Sequence, residues 1–494
     1  MQTLKRIPNW VWLSSFLILG AVIRFVNIGG RSLWFDEAIS ALAVRYDLAT
    51  IATQRLEPMA PPLYLLLLGL WVRGWALLGL PANETALRAM SALFSVAAMI
   101  AVYAIGRRMF DRRTGLLAAA LMMILPFQIA FAQEARSYSL IILCGALLLW
   151  AFIRALDHDR ARDWIVLGVI GVIALYVNYL LALLIVVFHL YVMLLPTRRK
   201  WLIRLVLCDV VLALSLLPLV PAMLQQGRQV SALYQINQPT VLLPLVTVAF
   251  LLFGNVTDSL ALVALALFVT LALLVLLAVP VVRRAIRRQI DGRLLLLLAI
   301  AMPPLIMLVL SVLIHSPYYD RWLAFTTPAL VLFIAQGISL RSTALYKFLL
   351  VVLVGLAIVR LAGYYTQPDT TRPPFREASA YIVSQAQPGD VVFHLHDSTF
   401  ASFRYYAPEL ASSLWQDDAA GWFVPAAWKW FGERTNDLST LFNGHARIWV
   451  MSLPDTLDDS RRDLLTQIVQ RYPPVLKQRF GNIEVGLYAA ATSP

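Results

Sequence analysis

Two residue classes are scarce in this chain, and each scarcity excludes something. Charged residues fill only 14% of the 494 positions, against about 25% in an ordinary soluble globule, so a single water-soluble core is excluded. Cysteine occurs twice, as Cys144 and Cys208. Both fall inside predicted membrane spans, which leaves no disulfide framework and no zinc-type spacing. No small-residue cleavage site follows the first apolar run, 10–28, which reads as an uncleaved first span rather than a signal-peptide core. Internal repeats and low-complexity tracts are also missing.

What is present is apolar. Hydrophobic residues make up 60% of the chain and the mean hydropathy is +0.73. They recur in runs near the roughly 20 residues a helix needs to cross a bilayer, so the predicted class is a polytopic α-helical membrane protein. The net charge of +13 is unevenly placed: residues 366–494 hold 11 Lys+Arg and 14 Asp+Glu, a net of −3, which leaves +16 on the membrane part. Those positives sit in short loops at 107–113 (RRMFDRR), 154–162, 198–204 (RRKWLIR), 283–293 and 341–347. That is the positive-inside pattern of a membrane protein, not a nucleic-acid footprint.

Lys5 and Arg6 place the N-terminus in the cytoplasm. With the basic loops also cytoplasmic, eleven spans fall near 10–28, 87–106, 114–132, 137–156, 164–179, 180–195, 202–220, 260–281, 294–314, 322–340 and 346–363, and the C-terminus lies outside. Two apolar segments must then fail to cross. Residues 61–80 (PPLYLLLLGLWVRGWALLGL) carry Tyr64, Trp71, Arg73 and Trp75 and suit an interfacial or re-entrant helix, while 241–253 is too short to span. From Arg372 the character changes to a small external α/β domain, 366–494. A helix closes at Pro388-Gly389, strands follow at 391–395 and 447–451, a helix near 461–471, then strands at 475–479 and 483–488. The membrane domain is 1–365, with 31–80 as its first external loop.

Within that loop, 31–44 (RSLWFDEAISALAV) holds adjacent carboxylates, Asp36 and Glu37, in an apolar, aromatic setting. Read as a helix, Asp36, Glu37 and Ser40 share one face, while Phe35, Ile39 and Leu42 share another. Such a helix lies in the membrane surface with its acids toward water. A solvated loop with two surface acids fits the same residues. The topology brings further uncommon polar residues to the external face: Arg88, Gln133, Glu134, Arg136, Asn178, Tyr179, Asp320 and Arg321. Ionisable groups at membrane depth are costly, so their clustering on one side marks a candidate site. Carboxylates with several arginines suit proton removal beside a bound phosphate.

These pieces resemble a known family. RSLWFDEAIS, PPLYLLLLGLW, ALRAMSALFSVAAMIAVYAIGRRMFDRRTGLLAA and AFAQEARSYSLIIL follow in the order found in GT-C type glycosyltransferases of the protein O-mannosyltransferase branch. The resemblance is densest over residues 24–150 and nearest to the bacterial members grouped with the rhizobial lipopolysaccharide galacturonosyltransferases. It implies a GT-C fold and transfer of a sugar from a polyprenyl-phosphate carrier to a protein, lipid or glycan acceptor on the non-cytoplasmic face of the plasma membrane. It also implies Asp36 as the base, Glu37 orienting the acceptor or the base, and Arg88 on the lipid phosphate with Arg136 close by. Arg321 is added from its charge and predicted position. Trp34, Tyr64, Glu134, Tyr138 and Tyr319 form the supporting set. Relatives carry a His before the PPLY pair where this chain has Ala60, so nothing is carried over there. No cofactor is required by this scheme; Asp36, Glu37 and Glu134 leave a divalent metal open.

Other signals read blandly. His394, His396 and Asp397 lack a third ligand at metal spacing; His189 suits packing, and His315 suits packing over lining the site; the Trp-rich stretch 415–430 suits domain core or interfacial anchoring over sugar stacking. A transporter or lipid flippase is the competing class, but such proteins usually show repeats and midplane polar residues. A receptor-like sensor does not need eleven spans.

Overall fold

The structure, a computed structural model, describes residues 8–489 apart from 55, 58–59, 196–197, 222, 225–238, 256–258, 341–342, 367–371, 417–430, 440 and 442–444. The first part of the chain forms helices α1 (Asn9–Phe25), α2 (Phe35–Ala43), α3 (Leu48–Thr53), α4 (Leu63–Leu77), α5 (Glu84–Met109), α6 (Arg112–Ile124), α7 (Pro126–Ala132) and α8 (Tyr138–His158). After these come α9 (Ala161–Val177), α10 (Ala182–Leu194), α11 (Arg198–Leu216), α12 (Leu243–Phe253), α13 (Leu260–Ile286), α14 (Gly292–Ile314), α15 (Thr327–Leu340) and α16 (Ala344–Thr366), with a 3₁₀ segment, Asp320–Thr326, leading into α15. The remainder alternates: α17 (Phe375–Gln385), β1 (Val391–His394), α18 (Asp397–Tyr406), β2 (Ser412–Trp415), β3 (Glu433–Thr435), β4 (Arg447–Ser452), α19 (Asp459–Arg471), β5 (Pro474–Phe480) and β6 (Ile483–Ala489).

Local chemistry sets several of these boundaries. Asn83 accepts the Ala86 N–H at the head of α5, Glu84 occupies its first turn and Arg107 and Arg108 its last, so both ends complement the helix dipole. Asp111 caps α6 through the Thr114 N–H at 2.7 Å. Pro126 then ends α6 and opens α7 as its first residue, and the two helices are bent by 61°.

Among the described residues, seven helices are long and apolar enough to cross a membrane, or eight if the bent pair α6–α7 counts as one span. With the shorter helices α1, α9 and α10, every one of the eleven predicted spans corresponds to a helix or to the bent pair. The two segments expected not to cross are helices of 15 and 11 residues, α4 and α12; α10, expected to cross, has 13, so length does not separate them.

By contact the chain divides into two compact units, residues 1–26 with 88–366 and residues 27–87 with 367–494. The sequence reading groups 31–80 with the membrane domain; by contact those residues belong with the C-terminal part. In the helical unit, close approach is written in glycine. A Cβ on Gly106 would lie 2.7 Å from Gly115 Cα, and one on Gly145 would lie 2.4 Å from the Phe325 carbonyl oxygen. The first contact closes the α5–α6 hairpin, and the second lets the 3₁₀ segment lie directly on α8. His189 is more than packing: its Nε2 lies 3.0 Å from Asp209 Oδ2, joining α10 to α11.

The α/β unit holds a six-stranded sheet in the order β3-β2-β1-β4-β6-β5. β3, β2, β1 and β4 pair in parallel, and β6 pairs antiparallel with β4 and β5. Each face carries its own apolar layer. Val392, Trp449, Met451 and Val485 pack with Phe375, Ile382 and Phe403 on one side, while Phe393, Ile448, Val450 and Tyr488 pack with Leu464 and Ile468 on the other. Successive residues of β1 and β4 alternate between the layers, as the pleat requires.

Candidate functional site

Helix α2 carries the acidic pair. Ala38, Ile39 and Ala41 to Ala43 are buried, and the helix packs against α18 of the C-terminal segment. Its N-terminal turn is tied to that segment by polar contacts. The Leu33 N–H donates to the Tyr406 hydroxyl at 2.7 Å, and the Arg376 N–H donates to Ser32 Oγ at 3.1 Å. Arg376 also donates to the carbonyl oxygens of Gly29 and Gly30 and pairs with Glu84 at 3.0 Å; Glu84 in turn accepts the Tyr406 hydroxyl at 2.9 Å. The stretch 31–44 is therefore a packed helix with an anchored start, and the solvated-loop reading is corrected.

The two acids have different surroundings. Glu37 is fully buried, and Arg372 Nη1 lies 2.5 Å from its Oε2. Asp36, one residue earlier, is half-buried. Trp34 is half-buried at the position before α2, and Tyr64 is buried in the first turn of α4. Asp397 opens α18. Its carboxyl is pushed up to about 6, chiefly by burial and to a smaller degree by the negative charge of Asp36. Among the described residues, no hydrogen-bond partner reaches its buried Oδ2. A cavity of about 500 Å³ in the same unit is lined by Val44, Arg45, Glu84, Arg376, Tyr405 and Tyr406, among others. Sequence reasoning missed Arg372, Arg376 and Tyr406, and weighed Asp397 only as part of a metal-like pattern. One signal was available for Arg372: a carboxylate buried in an apolar, aromatic stretch requires a cation.

The arginines are carried by the helical unit. Arg88 is buried in α5, and one turn later Ser91 Oγ donates to the Arg136 carbonyl oxygen at 3.1 Å. The start of α5 and the turn carrying Glu134 and Arg136 are thus neighbours, and both those side chains are half-buried. Tyr138 follows at the head of α8, edge-on to Phe131 at 4.7 Å. Arg321 lies on the 3₁₀ segment packed on α8, its guanidinium 5.6 Å from the Tyr319 ring centroid. Neighbouring Asp320 accepts the Thr247 hydroxyl at 2.5 Å, fixing the segment to α12. An apolar groove of about 530 Å³ runs between α12, α13 and α14, lined by residues such as Val248, Leu274 and Pro304.

The His394–Asp397 stretch is not one strand. β1 ends at His394, and Asp397 begins α18. His394 is fully buried beside Phe400 and Phe403, and burial pulls its pKa down to about 3. Among the described residues no three His, Cys, Asp or Glu side chains gather as a metal site. Residues 417–430 of the Trp-rich stretch lie outside the described residues; Trp415 is placed on β2 against Phe393.

Comparison with known proteins adds three findings. The profile of the family described as dolichyl-phosphate-mannose-protein mannosyltransferase matches residues 60–224. No curated protein sequence matches the chain. Among solved structures, ArnT from Cupriavidus metallidurans bound to undecaprenyl phosphate is similar over 98% of this chain and 99% of its own, with a TM-score of 0.64 and 14% identity. The apo form of the same protein gives 0.64 over 97% and 98%, at 12% identity. The archaeal oligosaccharyltransferase AglB from Archaeoglobus fulgidus, in complex with an inhibitory peptide and a dolichol-phosphate, gives 0.52 over 97% of this chain and 74% of its own, at 14% identity. The architecture of this chain, membrane helices followed by a small α/β sheet domain, is the GT-C fold.

Proposed function

We propose that the protein is an integral-membrane glycosyltransferase of the protein O-mannosyltransferase branch, nearest to the rhizobial galacturonosyltransferase-like group. It moves a monosaccharide from a polyprenyl-phosphate carrier to a protein, lipid or glycan acceptor. In this reading it lies in the plasma membrane with its N-terminus cytoplasmic and its C-terminal domain outside. The family match over 60–224 and the full-length likeness to a protein holding undecaprenyl phosphate support the donor class.

The observation that carries the mechanism is the unequal treatment of the acidic pair. Glu37 is buried and ion-paired with Arg372, which makes it an anchor; the half-buried Asp36 is then the carboxylate assigned to proton removal. The acceptor hydroxyl oxygen attacks the anomeric carbon as the bond from that carbon to the phosphate oxygen breaks. The electron pair leaves with the polyprenyl phosphate, and the hydroxyl proton goes to Asp36. Arg88 and Arg136, with Arg321 in support, hold the leaving phosphate through forked, charge-assisted hydrogen bonds. A single displacement inverts the anomeric centre. Trp34, Tyr64, Glu134, Tyr138 and Tyr319 are assigned to shaping the site.

The test is a donor-release assay on the purified full chain with a lipid-linked sugar carrying labels on both sugar and lipid. Release of free polyprenyl phosphate with sugar transferred to an added membrane extract supports the reading. Sugar or lipid crossing a liposome unchanged would point instead to a transporter.

A further inference from the structure

Arg24 lies near the end of α1 with its side chain wholly buried. A guanidinium inside an apolar helix bundle is costly unless its donors are used, and here they are. Nε donates to Ser95 Oγ at 2.8 Å, Nη1 to the Gly20 carbonyl at 3.0 Å, and Nη2 to the Met122 carbonyl at 2.8 Å, with Met123 O at 3.5 Å from Nη1.

The choice of Met122 and Met123 has a specific cause. In an unbroken helix the Met122 carbonyl would accept from residue 126, which is Pro126 and has no N–H. The Met123 carbonyl would accept from residue 127, which belongs to α7 and turns away at the 61° bend. Arg24 supplies the donors that the break removes.

The same residue meets the far end of α7. Gln133 Nε2 donates to the Arg24 carbonyl at 3.0 Å and the Val26 carbonyl at 2.9 Å, while its Oε1 accepts the Tyr364 hydroxyl at 3.0 Å. Arg24 thus brackets the seven-residue α7: its side chain holds the last turn of α6, just before the bend, and its backbone carbonyl holds Gln133 at the end of α7. Glu134 and Arg136 follow at once.

We propose that Arg24 is a positioning residue that fixes α7 and, through it, the turn carrying Arg136. The proposal rests on the reading that Arg136 binds the donor phosphate.

The test uses the full chain in nanodiscs and two readouts. The first is the labelling rate of Glu134→Cys by a water-soluble maleimide, with and without Arg24→Met. A several-fold change is expected, and an unchanged rate overturns the proposal. The second is binding of a polyprenyl monophosphate. Arg24→Met should weaken it about tenfold and Arg24→Lys less, since lysine keeps the charge but not the fork. In the Arg24→Met/Arg136→Ala double variant, binding should be no weaker than in Arg136→Ala alone; additive losses overturn the claim that Arg24 acts through Arg136. If Arg136→Ala binds normally while labelling still changes, the phosphate reading of Arg136 fails and the positioning role stands. Should Arg24→Met not fold, the same two measurements on Arg24→Lys decide, with no change in either overturning the proposal.

Discussion

Arg372 Nη1 lies 2.5 Å from Glu37 Oε2, and neither side chain is more than 6% exposed. The two residues are 335 positions apart in sequence, so this pair ties the acidic helix of the first loop to the start of the C-terminal segment. Removing one partner strands a buried charge, which costs about 3–5 kcal/mol. Arg372→Ala and Glu37→Gln should each lower the unfolding temperature of the purified protein. The double variant Glu37→Gln/Arg372→Met should recover part of the loss, because no bare charge remains. Equal loss in the single and double variants would show that the pair is not coupled.

Asp36 is assigned a chemical role and Glu37 an anchoring one, so their isosteric amides should behave differently. Asp36→Asn should reduce turnover by about 10²- to 10⁴-fold, the usual contribution of a general base, with unchanged thermal stability and donor affinity. Glu37→Gln should lose stability first. A Glu37→Gln enzyme with wild-type stability and no turnover would reverse the assignment.

How far the sequence speaks can be judged from these two residues. The DE pair and its apolar helix stripe are visible within nine residues of α2. The partner of Glu37 is not, because no local pattern links position 37 to position 372. The same limit explains the sheet. β1, β4, β5 and β6 announce themselves by apolar runs or alternation, whereas β2 and β3 have only four and three residues, β3 at the edge of the sheet. Helix α18 was hidden because His394, Leu395 and His396 alternate as a strand would, and the chain turns at His396 where no proline or glycine marks it. The membrane helices were legible throughout, since their signal is local hydropathy alone.

Arg88 and Arg136 are assigned to the donor phosphate. Losing one charge-assisted hydrogen bond costs about 1.5–3 kcal/mol, or roughly 10- to 100-fold in affinity. Arg88→Ala should weaken binding of a polyprenyl phosphate by that factor without changing the affinity for acceptor. Unchanged donor affinity, measured by lipid binding in nanodiscs, would remove Arg88 from the site.

Asp397 gives a pH signature. Its carboxyl is raised from 3.8 to about 6, first by burial and then by the charge of Asp36. A raised acid favours the fold in its protonated form, so its contribution is fully present below pH 3.8 and is lost as pH rises through 6. The lost contribution is up to about 3 kcal/mol, at 1.36 kcal/mol per unit. Asp397→Asn should therefore be more stable than wild type at pH 7.5, keep about half that advantage at pH 5 and lose it below pH 3.8. Parallel melting curves for the two proteins across this range would contradict the assignment.

The central claim is chemical transfer from a lipid-phosphate donor with Asp36 as base. Its most direct measurement follows a doubly labelled polyprenyl-phosphate sugar incubated with the purified chain and membrane acceptor, with the anomeric configuration of the product read by NMR. The account predicts free polyprenyl phosphate, a new glycosidic bond of inverted configuration, and neither in Asp36→Asn. A retained configuration, or full activity in Asp36→Asn, would contradict it.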